Sequence, residues 1–138
     1  MPLPNLTVRR AYPFDDALEL RDYGDGAESA TAAETGIELA VRYFDLAKVV
    51  IDHAAIGGTL DGSNYWVISV QISDVVGGTY TEVATTGILG AAAAKIELPL
   101  SGLLNTYKDA DSAFIRVVAT ETGTTAGNLT YGAYIVPS

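Results

Sequence analysis

The chain has 138 residues, 49% of them hydrophobic and 18% charged, with a formal net charge of −9 and no cysteine. That length supports one domain with one core, and the composition is too apolar for a disordered chain. The missing cysteines exclude disulfides, thiolate catalysis and cysteine-based metal centres, and eight scattered Lys and Arg make free nucleic acid a poor partner, because phosphate binding needs a clustered basic face.

Met1 to Phe14 holds three prolines and the pair Arg9 and Arg10 with little periodicity, which predicts an extended arm ahead of a single domain over residues 15–138. The start lacks the basic-then-apolar order of a signal peptide, and no apolar run approaches the roughly 20 residues that span a bilayer. A soluble protein made in the cytoplasm, without a membrane partner, is therefore expected. Asp15 to Arg21 alternates weakly, and Asp22 to Ser29 reads as a turn of small and acidic residues.

From there strand signals follow closely. Gly36 to Val41 sets Ile37, Leu39 and Val41 against Glu38; Ala47 to Ile56 carries four β-branched residues, Val49, Val50, Ile51 and Ile56; Asn64 to Ser73 sets Trp66, Ile68, Val70 and Ile72 against Tyr65, Val67, Ser69 and Gln71. Gly78 to Thr86 is a further strand. Ala91 to Ala94 reads equally as a short helix, a strand or a loop, and Lys95 to Leu100 as a strand that Pro99 places at an edge. Asn105 to Asp111 is a polar connection. Ser112 to Ser138 then gives two alternating runs about a Gly/Thr loop, with Val117, Ala119, Leu129, Tyr131, Ala133 and Ile135 on one side, and reads as a closing β-hairpin.

About eight short strands separated by turn signals predict an all-β fold, a two-sheet antiparallel sandwich of jelly-roll-like topology, with an immunoglobulin-like order as the alternative. Chemistry is sparse. His53, the only histidine, shares a face with Val49 and Ile51 and reads as a partly buried, hydrogen-bonded side chain; no nucleophile context makes it a triad member. Asp22, Asp25 and Glu28, and Asp109 with Asp111, lack the spacing of a calcium loop and read as solvated loop carboxylates. Glu82 and Glu97 are conceivable as paired glycosidase carboxylates, but nothing places them at the required separation. Tyr65, Trp66, Tyr80, Tyr107, Tyr131 and Tyr134 supply aromatics, of which Trp66 reads as core and Tyr134 as an outward interface anchor. No cofactor, metal or catalytic residue is expected.

The order of these segments resembles that of the jelly-roll cement, or decoration, proteins of tailed-bacteriophage capsids. An arm with Arg and Asp leads into SATAAETGIEL (Ser29 to Leu39), a DG-containing loop, the β-rich Asn64 to Ser73, a Thr/Gly/Ala-rich stretch over Gly77 to Lys95, and FIRVVATETGTTAGNLTYGAYIV (Phe114 to Val136). The resemblance implies a non-enzymatic virion structural protein that binds the outer capsid surface and stabilises contacts between major capsid subunits. It implies two partners, the major capsid protein and a sister copy, as a homodimer or alternatively a homotrimer. Arg9, Arg10, Tyr12, Phe14, Arg116 and Tyr134 are the candidate contact residues. A carbohydrate- or receptor-binding module of a phage fibre or tail is the alternative function.

Overall fold

A computed structural model describes residues 18–40, 47–73, 75, 77–100 and 112–137. Among them are nine strands: β1 (Glu19–Arg21), β2 (Ala32–Ala33), β3 (Ile37–Ala40), β4 (Ala47–His53), β5 (Tyr65–Ser73), β6 (Thr81–Ile88), β7 (Ala94–Pro99), β8 (Ser112–Thr122) and β9 (Tyr131–Pro137). All pair antiparallel. One sheet runs β1-β9-β4-β7. The other runs β2-β8-β5-β6, with β3 also paired to β8.

β2 and β3 are two parts of one interrupted strand. Ala33 faces Val118, whereas Ile37, four residues on, faces Ile115, only three residues back, so the register slips once in between. Counted as eight strands, the sheets read 1-8-3-6 and 2-7-4-5. That interleaving is a jelly roll, and the expected all-β antiparallel sandwich is present.

The alternation in each strand decides which side is buried. β5 contributes Trp66, Ile68, Val70 and Ile72; β8 contributes Ala113, Ile115, Val117 and Ala119; β4 contributes Val49, Ile51 and His53; β9 contributes Tyr131, Ala133 and Ile135. Each large aliphatic chain so buried stabilises the fold by roughly 1.5–3 kcal/mol. Pro99 sits on β7, which among the described strands is an edge, paired with β4 alone, as expected. Ala91 to Ala94 forms no helix: Leu89 and Gly90 lead through a bend at Ala91 and Ala92, and Ala94 opens β7.

The closing hairpin is overturned. β8 lies in the five-stranded sheet between β5 and the β2–β3 edge, and β9 lies in the other sheet between β1 and β4. The connection from Gly123 to Thr130 crosses between sheets, and it is held by the other crossing, from β4 to β5, with which it pairs antiparallel at Gly58 and Ala126. Thr59 N–H donates to the Thr125 carbonyl at 2.9 Å and Gly127 N–H to the Gly57 carbonyl at 2.8 Å. Asn64 Oδ1 accepts from the amides of Thr124 (3.0 Å) and Thr125 (3.2 Å), and the indole N–H of Trp66 donates to the Gly127 carbonyl at 2.7 Å. Gly123 adopts φ +76° here, and a Cβ on it would run into Asn64 Oδ1. The expected arm, Met1 to Phe14, lies outside the described residues, as do Asp109 and Asp111.

Candidate functional site

Of the six candidate contact residues, Arg9, Arg10, Tyr12 and Phe14 lie outside the described residues. Arg116 and Tyr134 are described, and because β8 and β9 belong to different sheets they occupy opposite outer faces of the sandwich. A single face bearing both, as a hairpin implies, does not exist.

Tyr134 alternates with buried Ala133 and Ile135 and therefore points outward from the four-stranded sheet. Its cross-strand neighbours are Glu19 on β1 and Val50 on β4, and Val50 in turn faces Glu97 on β7. Lys48 Nζ bonds Glu97 Oε1 at 2.8 Å on this face. Glu97 thus points away from the five-stranded sheet. Glu82, in register with outward Gln71, occupies the opposite face, so these two carboxylates do not form a glycosidase pair.

Arg116 points outward from the five-stranded sheet and is held on two sides. Its Nε donates to Gln71 Oε1 at 2.9 Å, and its guanidinium lies over the Tyr80 ring, 3.9 Å from the centroid. A long cation fixed in this way loses less rotamer entropy when it meets a carboxylate. Of the aromatics, Trp66 and Tyr131 are core residues, whereas Tyr65 and Tyr80 belong to this outer side and Tyr134 to the other. Tyr107 lies outside the described residues, and the described five do not line up as one sugar-stacking platform.

The densest polar constellation was not foreseen. Arg21, on edge strand β1, is 5% exposed. Its Nη1 donates to the Tyr131 carbonyl and its Nη2 to the Gly26 carbonyl at 2.8 Å, while the Tyr131 ring lies 4.5 Å beneath the guanidinium. Nε stands 3.4 Å from Glu34 Oε2 and 3.8 Å from Glu28 Oε2. Glu34 belongs to the break between β2 and β3 and donates its own amide to the Val117 carbonyl at 3.0 Å. One side chain therefore ties the edge of one sheet to the edge of the other. Glu28, read from the sequence as a solvated loop carboxylate, is a member of this clamp. Asp22 has a separate task, accepting from Gly24 N–H at 2.9 Å to cap the 3-10 turn Tyr23–Asp25.

Burial raises the Glu34 carboxyl above its ordinary value; Arg21 opposes this, and a hydrogen bond and charge from Glu28, with the charge of Asp25, add to it. Burial first, then Glu34, also pushes the Tyr131 phenol up. A carboxyl raised in the fold binds more protons there than in the unfolded chain. Its contribution to stability is present at low pH and is lost as pH rises from the unfolded value of 4.5 through the folded one. Glu34→Gln is expected to flatten the stability profile over that window, which urea midpoints measured from pH 4 to about 7 will show. Equal slopes in both proteins would contradict it.

His53 is hydrogen-bonded, as expected, but buried completely rather than in part; its Nδ1 lies 2.8 Å from the Ala54 carbonyl, and because a carbonyl only accepts, Nδ1 carries the proton. Among the described residues no three acidic or histidine side chains gather as a metal site, and the described surface carries no pocket. The chain matches no protein-family model and no curated protein.

Proposed function

We propose that this protein is a capsid cement protein of a tailed bacteriophage, which binds the outer shell and stabilises neighbouring major capsid subunits without catalysing a reaction. One observation carries the reading: a single small sandwich presents a candidate contact residue on each of two opposite outer faces, Arg116 held by Gln71 and Tyr80, and outward Tyr134 with Glu19 and Val50 as cross-strand neighbours. A body with two faces of this kind can join two others. The resemblance of segment order assigns those others as the shell and a sister copy.

Repetition suits weak contacts. Each face needs little affinity of its own, because paired copies on a lattice bind at high effective concentration. The Tyr134 face, with its mixed charges, goes to the shell in this reading, and Arg9, Arg10, Tyr12 and Phe14 add contacts from the N-terminal stretch. Closed symmetry requires the copy-to-copy face to be self-complementary.

The test is co-sedimentation with shells assembled from the major capsid protein of the same virus. Saturable binding is expected, with Tyr134→Glu weakening it at least about tenfold, a typical loss for an aromatic anchor. Deleting Met1 to Phe14 is expected to weaken it as well. Absence of binding by the unaltered protein ends the reading.

A further inference from the structure

The outward side of β8, β5 and β6 is almost free of charge, in a chain of net charge −9. Among the outward residues of these three described strands, Arg116 and Glu82 alone are charged. They stand in one cross-strand row. Arg116 on β8 faces Gln71 on β5, and Gln71 faces Glu82 on β6, so the row reads cation, amide, anion. With neighbouring strands about 4.8 Å apart, the two charged positions lie roughly 10 Å from each other across the sheet.

Such a row is its own complement. Rotation by a half-turn about an axis parallel to the strands, in the interface plane above Gln71, lays each Arg116 over the Glu82 of a second copy and each Glu82 over the second Arg116. We infer that this outer face of the five-stranded sheet is a two-fold pairing surface for a second copy of the chain. Its two ion pairs join Arg116 of each copy to Glu82 of the other. The adjoining row, Val118, Ser69 and Thr85, is uncharged, and Ile88, in register with outward Val67, stands 63% exposed at the β6 edge. Glu38, on β3, lies one strand beyond β8 and so falls outside the three-strand overlap. An Arg and a Tyr stacked together amid small uncharged residues have the composition of an interface centre.

Two-fold symmetry makes the test sharp, because any one substitution acts twice. Arg116→Glu places Glu opposite Glu at both sites, and Glu82→Arg places Arg opposite Arg. Each single change is expected to weaken the dimer by about tenfold or more, and the double reversal, Arg116→Glu with Glu82→Arg, to restore it to within a few-fold of the unaltered protein. Sedimentation velocity over a concentration series reads this directly. Glu82 is exposed and joins no packing against the core, so Glu82→Arg remains informative if Arg116→Glu fails to fold.

A dimer lost in the single variants and regained in the double one supports the assignment. A monomer at all concentrations, or a dimer indifferent to both reversals, overturns it. The inference takes from the proposed function only the pairing of copies. Its readout needs no shell, so a protein that pairs in solution but binds no capsid ends the cement reading and leaves this surface standing.

Discussion

Arg21→Met is expected to lower the free energy of unfolding by roughly 3 kcal/mol, because it removes the cation from a buried ionic contact and leaves the partners behind. Methionine keeps the apolar stem, so the loss isolates the guanidinium. What remains is the Tyr131 carbonyl and the Gly26 carbonyl without their donor, and two neighbouring carboxylates, Glu28 and Glu34, with no positive charge between them. The partial exposure of both glutamates keeps the figure at the lower end of the usual range for such a break. Arg21→Lys is expected to recover little, since one ammonium cannot reach both carbonyls and both carboxylates at once. Adding Glu34→Gln to Arg21→Met is expected to return part of the loss by removing one of the two opposed charges. Equilibrium unfolding in urea measures all three, and a loss under about 1 kcal/mol for Arg21→Met would show that the clamp contributes only as an exposed ion pair does.

Trp66→Ala is expected to cost still more, about 3–5 kcal/mol, through the cavity left by the largest fully buried side chain. The indole also donates to the Gly127 carbonyl, in the connection between β8 and β9. Trp66→Phe separates the two effects: it keeps most of the volume and removes the donor, so its loss is expected near 1–2 kcal/mol. Hydrogen exchange sharpens the distinction. Loss of the indole donor is expected to speed exchange at Thr59 and Gly127, whose amides knit the two crossings together, more than in the strands. Uniform acceleration throughout would indicate that the bond does no local anchoring.

Much of the fold was legible because side-chain alternation reports burial directly. Trp66, Ile68, Val70 and Ile72 on β5, and Tyr131, Ala133 and Ile135 on β9, are buried as their spacing predicts, and Pro99 marks an edge because it lacks a donor. Alternation says which way a side chain points and nothing about which strand lies beside it. The error over Ser112 to Ser138 came from that gap. Eight residues, Gly123 to Thr130, separate the two strands, more than a hairpin usually needs, and Ala126 and Leu129 within them are buried as the chain passes between sheets.

The polar constellation was hidden for another reason. Arg21 sits in a weakly patterned stretch beside acidic residues, where a solvated turn is the natural reading. Its carbonyl partner Tyr131 lies 110 positions away, so no local signal joins them. The pairing of Arg116 with Gln71 was likewise invisible until the register of β8 on β5 was known.

The position of β9 bears on how the chain acquires its structure. Among the described strands β1 pairs with β9 alone, and β4 and β1 meet through β9, so this sheet has no centre until that segment arrives. Ordering strands so distant along the chain must precede any reward from joining them, which places this topology among slow folders, on the order of milliseconds to seconds. During that interval two strand edges wait open in every nascent molecule. The acidic surplus then acts in time as well as in space, as mutual repulsion that keeps unfinished copies apart while the missing strand finds its slot.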